Sequence, residues 1–202
     1  MNMPNRLTLL RVILVPVMII ISVIPYLNDN FVGSTSLTLA NLINLIIFCV
    51  ASSTDFLDGY LARKNNQVTT FGKFADPLAD KMLVITSLLL LMSDYLSNSS
   101  ASDFRAIVPA WAVAIIIIRE LMVSGIRLVA AERGVVIAAG WSGKVKTAFT
   151  MITLILCFLC GAFEANWYVI LCTVMLYISV ILTIYSGAVY LIRSRKLIFE
   201  SI

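Results

Sequence analysis

The sequence predicts an all-α polytopic membrane protein with six transmembrane helices. The 202-residue chain is 60% hydrophobic and only 13% charged, against roughly 25% charged residues in an ordinary soluble domain. Its apolar runs are also close to the length of about 20 residues that crosses a bilayer as a helix. Because these runs follow one another closely, we expect residues 1–202 to form a single membrane domain with no soluble module.

The predicted spans are residues 7–27, 37–61, 74–96, 106–130, 145–163 and 167–192. The first apolar run lacks the pattern of a cleavable signal and is expected to remain in the membrane. Pro16 lies within it and is expected to kink the helix. Pro77 is best accommodated in a first helical turn, so the third span is expected to begin shortly before Asp76.

The basic residues predict the orientation of these spans. If the spans alternate, one side carries Arg6, Arg11, Arg63, Lys64, Lys73, Arg127, Arg133, Lys144, Lys146, Arg193, Arg195 and Lys196. The other side carries Asp29, Asp94, Asp103, Arg105 and Glu164. Lysine and arginine are enriched in cytoplasmic loops, so both termini are expected to be cytoplasmic, in a bacterial-type cytoplasmic membrane. The net charge of +4 suits anionic lipid headgroups, and nothing indicates nucleic acid.

An acidic cluster lies at the junction of the second and third spans. Asp55 and Asp58 are three residues apart and Asp76 and Asp80 are four apart, so each pair shares one helical face. The short connection over residues 64–70 makes the two helices antiparallel neighbours, which lets the four carboxylates converge. Ionisable groups at membrane depth are costly and therefore indicate a functional site.

A divalent cation would resolve the repulsion among these carboxylates. The chain has no histidine, and its cysteines lie inside apolar runs, which disfavours zinc. Oxygen ligands favour Mg²⁺ or Mn²⁺, and magnesium usually shares its shell with substrate phosphates. The alternative is a salt-bridge network in which the acids pair with neighbouring cations, namely Arg63, Lys64, Lys73 and Lys81.

Small and basic residues between the acids favour a bound phosphate. Gly59 removes a side chain where a ligand could approach the helix, and Ala62 shares that face. Arg63 offers a planar donor fork suited to phosphate oxygens. Gly72 is small at the start of the next helix, where helices pack closely or substrate enters.

The stretch over residues 55–80 resembles the signature of the CDP-alcohol phosphatidyltransferase family. That signature runs D, two residues, DG, two residues, AR, eight residues, G, three residues, D, three residues, D. Every fixed position is present, at Asp55, Asp58, Gly59, Ala62, Arg63, Gly72, Asp76 and Asp80. The six-span pattern also resembles the fold of that family.

The resemblance implies a CDP-linked lipid whose diphosphate lies over the acids. It implies a two-metal site of Mg²⁺ or Mn²⁺ held by Asp55, Asp58 and Asp76, with Asp80 as a further candidate ligand. Asp80 is also implied as the general base that takes a proton from the acceptor hydroxyl. The residues that would border the CDP-lipid are Gly59, Ala62, Arg63 and Gly72. Direct transfer without a covalent intermediate and a homodimer are expected.

A second, basic group lies on the fourth and fifth spans and comprises Arg119, Arg127, Lys144 and Lys146. Arg119 is too deep to extend to the lipid headgroups, which favours contact with a bound anion or an internal acid. Its neighbour Glu120 is a candidate for orienting nearby groups. Because adjacent helical residues point to different faces, the two are not expected to form a simple mutual salt bridge.

The segments 119–127, 143–147 and 4–11 resemble the branch of the family that makes phosphatidylglycerophosphate. That resemblance implies CDP-diacylglycerol as donor, glycerol 3-phosphate as acceptor and CMP as leaving group, with the basic group holding the acceptor phosphate. An inositol phosphate acceptor is the alternative within the family. From other classes, the alternatives are a small divalent-cation transporter and a structural membrane scaffold.

Overall fold

A computed structural model of the chain describes residues 3–64, 70–97, 104–132 and 140–199. Within these ranges the chain forms seven helices and no strand, with one isolated antiparallel bridge between Phe31 and Thr38. The helices are α1 (Met3–Val23), α2 (Pro25–Asp29), α3 (Leu39–Lys64), α4 (Thr70–Ser97), α5 (Ala110–Glu132), α6 (Trp141–Phe158) and α7 (Asn166–Phe199). The predicted all-α class is confirmed.

Successive long helices run antiparallel. Near the end of α1, Ser22 accepts a hydrogen bond of 2.8 Å from Asn44 near the start of α3. Asn41, also near the start of α3, donates a 3.1 Å hydrogen bond to Asp94 near the end of α4. The starts of α1, α4 and α6 therefore lie at one end of the bundle with the ends of α3, α5 and α7. We call this the site end, because the acidic and basic groups both lie towards it.

The helices form two connected groups. α1 packs against α3 and α4, while α7 packs against α5 and α6. Contacts of α4 with α5 and α6, and of α3 with α6, join the groups. Buried apolar side chains fill the space between them, among them Met18, Phe48, Leu83, Ile116, Leu154, Phe158 and Leu176. Three of the four cysteines are buried in this core, and all four are free thiols.

The C-terminal helix has the length and composition of a membrane span. Its segment Asn166–Arg195 covers 30 residues with a mean hydropathy of 2.3. Among the described helices it is the one that meets this criterion, while Leu7–Val23 and Leu39–Thr54 are shorter apolar helical segments. The six-span topology and the cytoplasmic termini therefore stay predictions.

The first predicted span is wrong at its C-terminal end. α1 ends at Val23 rather than continuing to residue 27, and Ile24 is extended with φ −75° and ψ 111°. Proline disfavours helical backbone in the residue before it, so Pro25 ends α1 and opens the short α2. Pro16 lies inside α1, which is helical on both sides, and its kink stays a prediction.

The prediction that the third span begins shortly before Asp76 is also wrong. α4 already begins at Thr70, so Pro77 lies inside the helix rather than in its first turn. Proline removes one backbone donor, but a long helix packed against neighbours tolerates that loss better than an isolated helix. Asp76 and Asp80 consequently lie within a continuous helix and not at its start.

A turn after α6 fixes the opposite end of the bundle. The helix begins four residues before the predicted fifth span and ends at Phe158, five residues before that span does. Gly161 has φ +96°, and a Cβ atom there would lie 2.9 Å from the carbonyl carbon of Ser36. Ser36 also donates a 3.1 Å hydrogen bond to Glu164. This loop therefore packs tightly against the connection between α2 and α3.

Candidate active site

Two carboxylates of α4, those of Asp76 and Asp80, face α1. Thr8 Oγ1 donates a 2.5 Å hydrogen bond to Asp76 Oδ1. One turn further along both helices, Arg11 Nη1 lies 3.5 Å from Asp80 Oδ1. The Arg11 side chain is fully buried, whereas Asp80 keeps 34% of its side-chain surface exposed. Asp80 therefore lies beside a buried cation, and its own side chain stays accessible to a ligand.

For the remaining motif residues, the structure describes the backbone only. Five of them lie on the last part of α3, and Gly72 lies near the start of α4. Their side chains fall outside the part of the chain that the structure describes, as do those of Arg63, Lys64 and Lys73 in the alternative salt-bridge network. Because α3 and α4 pack together, both halves of the motif belong to neighbouring helices, as predicted. The motif residues on α3 are Asp55, Asp58, Gly59, Ala62 and Arg63.

The motif has the chemistry of a site for a hard divalent ion. Asp76 and Asp80 are one helical turn apart and offer carboxylate oxygens, the ligands that Mg²⁺ and Mn²⁺ prefer. Among the described residues, no group of three or more metal-ligating side chains gathers. Asp55 and Asp58, which would complete such a group, are outside that search. The donor type fits the predicted ions, and the ligand set stays a prediction.

A cavity of about 770 Å³ joins Asp80 to the basic group. Helices α4, α5, α6 and α7 form its walls. Asp80 and Glu120 are acidic lining residues, and six cationic side chains surround them in the described part of the chain: Lys81, Arg119, Arg127, Lys144, Lys146 and Arg193. The excess of positive charge favours an anionic ligand. All four basic residues singled out from the sequence thus share one cavity with Asp80.

Glu120 lies at the centre of a buried ionic network in this cavity. Its carboxylate is 2.9 Å from Arg119 Nη1 and 2.5 Å from Lys146 Nζ. Ser124, one turn along α5, accepts a hydrogen bond from Lys81 and donates one to the Glu120 carbonyl oxygen. The carboxylate therefore holds one cation from α5 and one from α6, and Ser124 links Lys81 of α4 to the same turn of α5.

The expectation that Arg119 and Glu120 would not pair is wrong. Their Cβ atoms leave the helix in different directions, but both side chains are long enough to bend towards each other. Arg119 Nη2 also donates a 2.9 Å hydrogen bond to Ser186 on α7, while its Nε is buried with no hydrogen-bond partner among the described residues. A Cβ atom on Gly187 would lie 3.1 Å from Arg119 Cγ, so the glycine leaves space for this side chain.

The other two predicted basic residues lie nearer the cavity mouth. Arg127 and Lys144 are exposed, in contrast to the buried Lys146. Arg127 Nε donates a 3.3 Å hydrogen bond to the Tyr190 hydroxyl, and its guanidinium carbon lies 5.7 Å from the centre of that ring. Tyr190 thereby restrains the Arg127 side chain.

Several residues of the site were not assigned a role from the sequence. Thr8 and Arg11 contact the acids, and Tyr190 and Arg193 line the cavity. Lys81 also lines the cavity, although from the sequence it was placed only in the alternative salt-bridge network. Arg193 served only to predict the orientation of the spans. Arg11 lies inside the first predicted span, so the reasoning applied to Arg119 could have singled it out as well. Thr8 gives no comparable signal, because its contact crosses 68 positions of sequence.

Comparison with known proteins adds a family match. A family model described as CDP-alcohol phosphatidyltransferase matches residues 1–185. Curated proteins named CDP-diacylglycerol–glycerol-3-phosphate 3-phosphatidyltransferase are similar to this chain. The protein from Bacillus subtilis (strain 168) is 46% identical over 147 residues, which cover 72% of this chain and 70% of that protein.

Two further proteins with the same name align over almost their whole lengths. The protein from Haemophilus influenzae is 37% identical over 206 residues, covering 100% of this chain and 97% of its own. The protein from Shigella flexneri serotype 5b is 34% identical over 197 residues, covering 96% of this chain and 95% of its own. The region aligned with the Haemophilus influenzae protein thus spans the acidic motif, the basic group and α1.

Proposed function

This chain belongs to the CDP-alcohol phosphatidyltransferase family, and we propose that it transfers the phosphatidyl group from CDP-diacylglycerol to sn-glycerol 3-phosphate. The products are phosphatidylglycerophosphate and CMP. The observation that carries the proposal is the single cavity that holds Asp80 together with six cationic side chains. The names of the three relatives support the same donor and acceptor.

The basic part of the cavity binds the acceptor phosphate. Arg119 and Lys146 form its buried floor, and Lys144 and Arg127 lie nearer the mouth. A phosphate dianion is large enough to accept hydrogen bonds from several of these donors, which are strong because both partners are charged. Binding by its phosphate leaves the glycerol hydroxyls free to extend towards Asp80.

Asp80 is the general base of the reaction. It borders the cavity with part of its carboxylate accessible, as contact with an acceptor hydroxyl requires. As Asp80 takes the proton, the hydroxyl oxygen bonds to the phosphorus attached to diacylglycerol. The bond from that phosphorus to the oxygen shared with the CMP phosphate breaks, and CMP leaves with the electron pair. No covalent enzyme intermediate is needed.

The acidic motif holds the donor end of the site. Asp55, Asp58 and Asp76, with Asp80 as a further ligand, would hold the divalent ions. When bound, Mg²⁺ or Mn²⁺ neutralises the diphosphate and stabilises the charge on departing CMP. Small and basic residues of the same motif border the CDP-lipid, namely Gly59, Ala62, Arg63 and Gly72.

The membrane arrangement is part of the proposal. The six long helices cross a bacterial cytoplasmic membrane with the site end and both termini facing the cytoplasm, and two copies form a homodimer. Exposed apolar side chains along α7, such as Ile170, Ile181 and Ile192, support burial of that helix in lipid or against a second copy. Reporter fusions at the C-terminus test the orientation, and mass measurement in nanodiscs tests the dimer.

An acceptor panel tests the proposed reaction. Purified protein is supplied with CDP-diacylglycerol and MgCl₂, and CMP release is measured with glycerol 3-phosphate, inositol phosphate, serine or no acceptor. The expected result is CMP release that requires glycerol 3-phosphate. Release without acceptor, or release favoured by inositol phosphate, would contradict the assignment. Metal uptake into liposomes in the absence of nucleotide would instead support a transporter.

A further inference from the structure

Helix α1 contacts Asp76 and Asp80 on α4 through two polar side chains that are costly to bury in an apolar helix. Thr8 is 1% exposed and Arg11 is 0% exposed, yet each directs a polar atom towards a carboxylate. A buried guanidinium destabilises the protein unless charges and hydrogen bonds compensate for its lost hydration. Arg11 lies beside Asp80, so this carboxylate provides part of the compensation.

The spacing of the contacts matches the geometry of two packed helices. Thr8 and Arg11 are three residues apart on α1, while Asp76 and Asp80 are four apart on α4. Both spacings place side chains one turn apart on a single helical face. α1 therefore contacts Asp76 and Asp80 through two separate side chains: Thr8 donates a hydrogen bond to Asp76, and Arg11 forms an ion pair with Asp80.

We propose that Thr8 and Arg11 are positioning residues that hold the Asp76 and Asp80 carboxylates in the orientation needed for metal binding and proton transfer. The inference rests on the proposed function, in which those acids are metal ligands and base. It extends the active site to α1, which contributes none of the signature residues. Groups that orient ligating carboxylates commonly change metal affinity or activity by about 10- to 100-fold when they are removed.

Thr8 offers a pair of variants that separates hydrogen bonding from packing. Thr8→Val keeps the side-chain shape without the hydroxyl, and Thr8→Ser keeps the hydroxyl. Thr153→Val is the matched control, because Thr153 is equally buried on α6 but donates only to the Phe149 carbonyl oxygen. Binding of Mn²⁺ alone to each full-length protein in detergent is measured by electron paramagnetic resonance of the free ion.

The expected result for Thr8→Val is a dissociation constant for Mn²⁺ raised about 10-fold, in the range for lost outer-shell contacts. Thr8→Ser and Thr153→Val should bind Mn²⁺ like the wild type. Unchanged Mn²⁺ affinity in Thr8→Val, or an equal loss in Thr153→Val, would overturn the role of Thr8. If the wild type binds Mn²⁺ but transfers nothing to glycerol 3-phosphate, the proposed function fails while this comparison still decides the positioning role.

The role of Arg11 is tested by measuring kcat and KM separately in Arg11 variants. Arg11→Met should lower kcat while leaving KM for glycerol 3-phosphate near the wild-type value, since the acceptor phosphate lies among other cations. Arg11→Lys should recover part of kcat. The control is Arg105→Met, which removes a partly buried ion pair with Asp94 at the opposite end of α4. A loss of kcat in Arg105→Met equal to that in Arg11→Met, after correction for folded protein, would overturn the role of Arg11.

Discussion

The Glu120 carboxylate and the Lys146 ammonium lie 2.5 Å apart, joining α5 to α6 inside the cavity that Asp80 also borders. The same carboxylate binds Arg119, so one acid compensates two buried cations. Its single charge leaves the other cations of the cavity available for an anion. The remaining positive charge of the cavity favours an anionic ligand.

Glu120→Gln should destabilise the protein and make its stability depend more strongly on acceptor. The amide keeps the side-chain shape but leaves Arg119 and Lys146 without their shared negative charge, and breaking a buried pair costs about 3 kcal/mol. Glycerol 3-phosphate should raise the unfolding temperature of Glu120→Gln by more than it raises that of the wild type. Thermal unfolding in detergent, with and without this ligand, measures both effects.

The matched control is Glu132→Gln, which changes an exposed acid at the end of the same helix. It should leave the unfolding temperature and its ligand dependence unchanged. An equally stable Glu120→Gln protein would mean that the buried network contributes little to the fold.

Arg119→Lys should weaken binding of the acceptor. The guanidinium joins Glu120 and Ser186 through two different nitrogens, and a single ammonium cannot reproduce that planar fork. Loss of a charged hydrogen bond costs roughly 1.5–3 kcal/mol, equivalent to about a 10- to 100-fold increase in KM for glycerol 3-phosphate. Initial rates over a range of acceptor concentrations provide the measurement, with the exposed Arg195→Lys as control. An unchanged KM would place the acceptor phosphate elsewhere.

Asp80→Asn should abolish most turnover without unfolding the protein. The amide is nearly isosteric but cannot accept the acceptor's proton, and loss of a general base lowers kcat by about 10²- to 10⁴-fold. The rate of CMP release under saturating substrates measures the effect. Asp29→Asn, an exposed change on α2, should leave kcat unchanged. Near wild-type kcat in Asp80→Asn would exclude Asp80 as the base.

Gly161→Ala should lower stability without changing the site. An alanine there would adopt an unfavourable φ of +96° and bring Cβ to 2.9 Å from Ser36. Such strain costs of order 1–3 kcal/mol. Urea unfolding in detergent should show the loss, while KM for glycerol 3-phosphate stays the same. Gly125→Ala is the control, because nothing lies within 4 Å of its added Cβ and α5 is helical there.

The sequence indicated which polar groups line the cavity more fully than it indicated the contacts that position them. A buried arginine and a short acidic motif are costly in an apolar chain, so Arg119 and Asp80 were recognisable without coordinates. Their presence in one cavity also follows from the alternating helices, which return both groups to the same end. The cost of placing charged residues in apolar runs was sufficient to single out these groups, because the neighbouring sequence is apolar.

The errors arose where packing or side-chain length overrides a local rule. Pro77 was expected in a first turn, but neighbouring helices support α4 on both sides of it. The Arg119 and Glu120 pair was excluded from Cβ directions alone, although long side chains can close that angle. The contact between Thr8 and Asp76 depends on how α1 packs, which no local pattern specifies.

Lipid product analysis is the most direct test of the proposed phosphatidyl transfer to glycerol 3-phosphate. Purified protein in vesicles is given CDP-diacylglycerol, glycerol 3-phosphate and MgCl₂, and mass spectrometry quantifies new lipid and CMP in the same sample. The expected result is phosphatidylglycerophosphate and CMP in equal amounts, with both lost together in Asp80→Asn. CMP formed without phosphatidylglycerophosphate, or equal product from Asp80→Asn, would contradict the proposed transfer.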